Sequence, residues 1–579
     1  MRYYVLATDY DGTLAHNGIV SSNTIDALKR LIASGRHLIL VTGRELPELK
    51  SVFEDLQLFR WVVAENGGLL YEPSSNKEYL LSEPPSERLV SALREKGVCN
   101  ISVGRSVIAT WSPFEHIVLE TIHELGLELQ VIFNKGAVMV LPAGINKAFG
   151  LDKALLELKI SRHNVVGVGD AENDHSFLQM VEFSAAVDNA LNSLKESTDL
   201  VLPAGHGDGV VYLIDRIIND DLASLERMPR RYPLNIATVG EDTVALPNFG
   251  GPILICGASG SGKSTLANRV VDSIQEQSYQ YCLIDPEGDY ESFEGAVVLG
   301  SPTLAPQIEE VMHVLEQPGV NVVVCLTGVP IPDRPSYFLK FLCSLLDLRT
   351  QTARPHWLIL DEAHHLLPAD WNPSNESVPS NWTNVVLITV QPSLLPACLL
   401  AQVEIIAIVG KDPELAIKDF VSIAQIALPI LPDSESQDGE ILIWNTKDSS
   451  TVKRCKPIKS LREHHRHRRK YAEGQLSPER SFYFRGIDKQ LNLRAQNLIL
   501  FCQIAEGIDD ETWVFHLNRG DYSCWLANSI KDEELSQEAS RIEGLKNVLA
   551  LESKRMMLDA IQLSYTLPAT SLLELPGAG

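Results

Sequence analysis

Cysteine is scarce in this chain. Nine residues are scattered through 579, with no Cys-x-x-Cys pair and no His/Cys cluster at zinc-finger spacing. That disfavours a disulfide scaffold or a zinc module and suits a reducing compartment. No uninterrupted apolar run approaches membrane-spanning length, so no membrane partner is expected. Positive charge is short: 50 Lys and Arg stand against 75 Asp and Glu, a formal net charge of −25. Broad electrostatic attraction to nucleic acid or anionic lipid is disfavoured, and nucleic acid is not a favoured partner. The sequence has no internal repeat, no long low-complexity tract and no basic-then-apolar leader, so a cytoplasmic location is expected. At this length several domains are expected, each large enough for its own core.

What is present begins at once. The apolar run from Tyr3 to Ala7 ends in Asp9-Tyr-Asp11-Gly12-Thr13. Two carboxylates two residues apart in extended backbone project to the same side. Gly12 permits a tight turn and Thr13 suits a helix start. That arrangement serves phosphoryl transfer, one carboxylate attacking phosphorus and its neighbour moving a proton. Three later segments join it. His37 to Val41 is an apolar strand ending in Thr42-Gly43-Arg44; Asn146-Lys147 opens a helical stretch; Val165 to Gly169 ends in Asp170-Ala-Glu-Asn173-Asp174. Strand C-termini of a parallel α/β sheet converge on one crevice, which gathers nucleophile, hydroxyl, cation and a second acidic pair. A phosphate dianion beside so many carboxylates calls for a divalent cation, and hard oxygen donors select Mg²⁺.

This order of motifs resembles the haloacid-dehalogenase (HAD) phosphatase superfamily, in its cap-bearing sugar-phosphatase-like subfamily. Asn66-Gly67-Gly68 and Asn189-Ala190 also fit that subfamily, while Ala148 stands where Gly often follows Asn-Lys. The resemblance implies that Asp9 is the nucleophile and Asp11 the general acid/base. It implies phosphate contacts from Thr42, Gly43, Lys147 and Asn173. Asp9, the Asp11 carbonyl and Asp170 would hold Mg²⁺, with Asp174 nearby. Between the second and third motifs, strand (Val98 to Trp111), helix (Pro113 to Gly126), strand (Leu127 to Phe133) and strand (Val138 to Leu141) are expected. They form a small α/β cap over the crevice, at about residues 84–143, with Arg105, Asn134 and Lys135 as candidate substrate contacts.

The HAD domain is expected over 1–222, followed by a linker at 223–235 containing Met228 to Pro233. A second module is expected over 236–455. Ile253-Leu-Ile-Cys-Gly257-Ala-Ser-Gly260-Ser261-Gly262-Lys263-Ser264-Thr265 satisfies the Walker A pattern: glycines let backbone N–H groups wrap phosphates, Lys263 reaches them, and Ser264 binds Mg²⁺. Trp357 to Leu360 followed by Asp361-Glu362 supplies Walker B, with Asp361 orienting Mg²⁺ and Glu362 polarising water, which favours hydrolysis of ATP. Gln391 ends the strand Val385 to Val390 and is placed to sense the γ-phosphate. The segment from about Leu234 to Asn445 resembles the HerA–FtsK class of P-loop ATPases, in Leu283-Ile-Asp285-Pro-Glu-Gly288-Asp-Tyr290 and in Asp361 to Pro368. Arg349 and Arg354 are candidate trans-acting arginines by position alone.

Residues 456–579 read as a basic linker, Lys459 to Lys470, and a small helical domain. Helical spacing runs over Leu491 to Ile504 and Asp532 to Leu551, with Trp513, Phe515, Tyr522 and Trp525 as core. His516, Arg519 and Asp521 are a candidate binding cluster there. The chain is thus expected to be an α/β protein: a Rossmann-like core with a small α/β cap, a P-loop α/β domain and a mostly helical C-terminal domain. The favoured function is a Mg²⁺-dependent phosphatase of small phosphorylated metabolites, fused to an ATP-hydrolysing module. A motor ATPase with the HAD domain as sensor or scaffold, and a bifunctional kinase–phosphatase, are the alternatives. Self-association is left open.

Overall fold

The computed structural model describes residues 1–565, except 135, 226–230, 259–260, 291–292, 371–381, 411–412, 433–438, 448–449, 461–475, 477, 479, 487–490, 531 and 546–547. The core of the expected linker, Lys135 and the basic stretch from residue 461 onward lie outside the described residues.

The N-terminal sheet has eight strands in the order Leu200–Val201, Phe183–Ala186, Val165–Gly169, Val5–Thr8, His37–Val41, Trp61–Ala64, Leu69–Glu72 and Lys77–Leu80. The first six are parallel, and the last two join as antiparallel edge strands. Helices cover both faces, so the central strands read as unbroken apolar runs and not as alternating ones. Residues 102–142 form a four-stranded antiparallel cap sheet in the order Ser102–Val103, Ile108–Trp111, Ala137–Pro142 and Leu129–Asn134. The single strand expected from Val98 to Trp111 is in fact a hairpin, turned at Gly104–Val107. A second small core joins that sheet to the helices Glu87–Glu95 and Glu115–Glu124.

The P-loop region is an eleven-stranded sheet whose parallel part runs Ile405–Val409, Ile253–Cys256, Val385–Thr389, Trp357–Leu360, Tyr281–Asp285, Val322–Cys325 and Val297–Leu299. Alternation along each strand divides its side chains between two cores. Leu254, Cys256, Cys282 and Ile284 face one, while Ile253, Ile255, Tyr281 and Leu283 face the other. The C-terminal part is mostly helical around Phe482, Phe484, Phe501, Trp513, Tyr522 and Trp525. Its first helix begins at Leu498, capped by Asn497, because Leu493–Ala495 pairs with Phe482–Phe484. Phe515 is half-buried under Arg519, outside that core.

The two α/β units meet back to back, at the N-terminal ends of their parallel strands. Glu182, just before strand Phe183–Ala186, accepts from Arg2 (2.6 Å), from the Tyr279 hydroxyl (2.8 Å) and pairs with His163 (2.7 Å). His163 stacks on Tyr279 and its other ring nitrogen meets the Gln277 carbonyl (2.9 Å). Arg354 reaches across to the Lys159 carbonyl (2.7 Å). Burial alone would raise the Glu182 carboxyl; the bond from His163 and the Arg2 charge outweigh it and hold it at about 2.

Replacing Glu182 by Gln leaves Arg2 facing a neutral amide and is expected to cost about 3–5 kcal/mol of stability. A folded-state pKa below the ordinary carboxylate value makes this contribution fully present above pH 4.5 and lost as pH falls toward about 2. Urea denaturation of wild type and variant should therefore diverge near neutral pH and converge in acid.

Candidate functional site

At the C-terminal edge of the first sheet, Asp9 follows strand Val5–Thr8 and its N–H donates to the Val168 carbonyl at 3.1 Å. Its carboxylate is 2.6 Å from the Lys147 ammonium, which is also 2.6 Å from Asp174 Oδ1. Lys147 opens helix Lys147–Leu158, and Asn146 caps that helix by accepting from the Phe149 N–H. Asp174 Oδ2 accepts the backbone N–H groups of Asp170 and Ala171, both at 2.9 Å, so this carboxylate organises the loop as well as pairing Lys147. Thr13 donates to Asp170 (3.1 Å).

Asp9, Asp170 and Asp174 are buried and offer ligand atoms within 4.8 Å of one another. Three carboxylates against one ammonium leave negative charge in excess. Burial, and next the Asp174 charge, push the Asp9 carboxyl well above its ordinary value, with Lys147 opposing them. Burial alone would lower Lys147, but Asp174 and Asp9 hold it strongly in the ammonium form. A hard divalent cation fits this donor set, since it supplies the missing positive charge to oxygen ligands.

The Asp11 carboxylate takes other partners. Arg44 grips it through two bonds, Nε to Oδ2 at 2.6 Å and Nη2 to Oδ1 at 2.7 Å. Thr42 Oγ1, buried at the end of its strand, accepts the Arg44 N–H (3.1 Å), and Gly43 lies against Asn66 and Asn173. Asn173 donates to Asn66 Oδ1 at 2.9 Å, and Asn66 meets the sulfur of Met139 in the cap. Arg44 and Asn66 were visible in the sequence as neighbours of motif residues, but their partners are remote in the chain. Of the candidate cap contacts, Arg105 is paired with Glu78 (2.8 Å), and Asn134 Oδ1 is buried with no hydrogen bond among the described residues.

In the P-loop region, a Cβ on Gly257 would fall 2.1 Å from the Val409 carbonyl, and Gly262 has φ +101°, so both positions need glycine. Helix Lys263–Glu276 follows, with Ser264 and Thr265 half-buried in its first turn and Ser261 just before it; Gly260 lies outside the described residues. Lys263 donates to the Ala258 carbonyl at 3.2 Å. Asp361 is buried at the end of strand Trp357–Leu360, and Glu362 adopts φ +40°, a conformation that costs a non-glycine residue on the order of 1–3 kcal/mol. Gln391 is exposed at the end of the neighbouring strand. Asp285 accepts backbone N–H groups from Glu287, Gly288, Asp289 and Tyr290, so it shapes its own loop.

Two expectations change here. Arg349 bonds the carbonyls of Pro355, Thr383 and His356, and Arg354 is fully buried on Gln280, Leu315 and Lys159. Both sit at the back of the sheet, away from the Walker edge, and serve the domain junction. In the C-terminal domain, His516 pairs with Asp521 (2.8 Å) and accepts the Arg485 N–H (3.1 Å), so both ring nitrogens are used in holding the fold.

Residues 6–110 and 115–214 match the haloacid dehalogenase-like hydrolase family, and residues 250–402 match an AAA domain family. Phosphoglycolate phosphatase 2 of Saccharolobus solfataricus is 27% identical over 222 residues, 37% of this chain and 92% of that protein. A phosphoglycolate phosphatase of Methanobrevibacter smithii is 27% identical over 233 residues, 38% of this chain and 100% of that protein. A solved haloacid dehalogenase-like hydrolase from Bacteroides thetaiotaomicron aligns at 20% identity and TM-score 0.33, covering 37% of this chain and 99% of that one. Among the described residues no helix is long and apolar enough to cross a membrane. The chain joins a haloacid dehalogenase-like hydrolase domain to an AAA-type P-loop domain.

Proposed function

We propose that the N-terminal domain hydrolyses small phosphate monoesters through an aspartyl-phosphate on Asp9, and that the P-loop domain binds and hydrolyses ATP to regulate it. The observation that carries this reading is the buried Asp9–Lys147–Asp174 chain beside Asp170 at the strand C-termini. A carboxylate oxygen of Asp9 attacks phosphorus as the bond to the leaving alkoxide breaks, and Asp11 gives that alkoxide its proton. Water then attacks the aspartyl-phosphate, yields a proton to Asp11, and Asp9 departs as carboxylate. Lys147, Thr42 and Asn173 hold the phosphate oxygens, and Asp11, bonded through both oxygens to Arg44 in the free protein, gives up at least one of these bonds to carry the proton. Asp9, the Asp11 carbonyl and Asp170 would hold Mg²⁺, which neutralises charge on the transferring group. On the P-loop side, Lys263 and the N–H groups around it would meet the nucleotide phosphates, and Glu362 would polarise water.

The back-to-back junction weighs against a kinase–phosphatase that passes one substrate between sites. Each catalytic edge lies five or six residues of strand from the junction, so at about 3.3 Å per residue the edges are roughly 35 Å apart and face away from each other.

Because two relatives are named phosphoglycolate phosphatases, 2-phosphoglycolate heads the substrates to test, followed by sugar phosphates. Purified full-length protein with Mg²⁺ should release phosphate from at least one of them at a kcat/KM of about 10⁴ M⁻¹s⁻¹ or more, and ATP should change that rate. Failure across the panel, with and without ATP, would refute the assignment.

A further inference from the structure

Glu65 follows strand Trp61–Ala64 and is fully buried, yet no salt bridge reaches it among the described residues. Its carboxylate instead accepts three consecutive backbone N–H groups of the cap turn: Arg105 (3.2 Å), Ser106 (2.7 Å) and Val107 (3.2 Å). A buried carboxylate satisfied by amides alone is a directional clamp, because loss of any donor leaves charge uncompensated. The fit on both sides is close. A Cβ on Gly104 would fall 2.6 Å from Glu65 Oε2, and one on Gly68 would fall 2.0 Å from Ser106 Oγ. Glu65 and Asn66 both hold positive φ, +51° and +52°, so two successive non-glycine residues are kept in a left-handed turn.

The same turn touches the phosphate pocket. Asn66 accepts from Asn173 and meets Met139 of the cap, and Gly67 packs so closely on the Asn146 carbonyl that a Cβ there would lie 1.9 Å away. Asn146 is the cap of the helix that delivers Lys147. One short turn therefore contacts the cap at two places and both phosphate-side elements. We propose that Glu65 is a positioning residue: it latches the cap turn 104–107 over the crevice, and through Asn66 and Gly67 it ties cap position to Asn173 and the Lys147 helix. This rests on the phosphatase reading given above. A latched cap excludes water and bulky esters and favours small ones.

The test uses full-length wild type, Glu65→Gln and Gly104→Ala, each assayed on 2-phosphoglycolate and on p-nitrophenyl phosphate. Gln keeps the size but presents an N–H₂ to amide donors, while Ala at 104 pushes the carboxylate away, its Cβ also falling 3.0 Å from Val107 Cγ1. Both variants should raise KM for the small ester about tenfold with a smaller change in kcat, and change kcat/KM for the aryl ester less than about twofold. Amide hydrogen exchange at 105–107 should quicken in both. Equal loss on the two esters, or no change on either, would overturn the latch. Should Glu65→Gln fail to fold, Gly104→Ala decides alone. A wild type that hydrolyses neither ester is compared with the variants on the sugar phosphates of the panel, and failure on all of these, with and without ATP, removes the phosphatase reading and the latch with it.

Discussion

Replacing Asp9 by Asn is expected to lower phosphoester hydrolysis by roughly 10⁴-fold or more, with the fold and ATP hydrolysis intact. The amide keeps the shape of the carboxylate, so the backbone bond to Val168 and the strand registers on either side are undisturbed. What it loses is the nucleophilic oxygen. It also removes one of the two anions on Lys147, whose other partner Asp174 still holds it at 2.6 Å. Loss of a crowded negative charge is not expected to destabilise the domain, since burial and the neighbouring Asp174 already disfavour the ionised form of Asp9. A melting temperature equal to or above that of wild type, together with lost turnover, separates chemistry from folding. Turnover that survives in a folded variant would remove Asp9 from the reaction.

Replacing Lys263 by Ala is expected to reduce ATP hydrolysis by about 100-fold or more. Lys263 is the first residue of its helix and donates to the loop carbonyl of Ala258. Basal phosphatase activity without nucleotide should be unchanged, because the Walker edge and the Asp9 edge lie at opposite ends of the two sheets. The change that ATP causes in wild type should vanish. A fall in basal phosphatase activity would mean that the junction around Glu182 transmits the state of the loop even without nucleotide.

Much of this was legible in the sequence where spacing does the work. The runs Val5–Thr8, His37–Val41, Val165–Gly169, Ile253–Cys256 and Trp357–Leu360 are short and mostly apolar, as buried parallel strands require, and catalytic groups follow directly from them. The cap hairpin was not legible, because the turn at Gly104–Val107 is set by Glu65, some 40 residues away, and not by a local turn dipeptide. The junction was hidden for the same reason. Arg2, His163, Glu182 and Tyr279 are unremarkable singly and are spread over most of two domains, and only the parallel sheets bring them to one place. Arg349 and Arg354 were misplaced because sequence order before the Walker B strand does not say which end of the sheet a residue occupies.

The covalent state of Asp9 during turnover tests the account most directly. Protein with Mg²⁺ and a phosphate monoester it hydrolyses is quenched rapidly in acid, digested, and the peptide containing Asp9 is weighed by mass spectrometry. A phosphoryl group on Asp9 in wild type, absent from Asp9→Asn, is the predicted result. An enzyme that turns over at full rate while Asp9 stays unmodified at every quench time would contradict it.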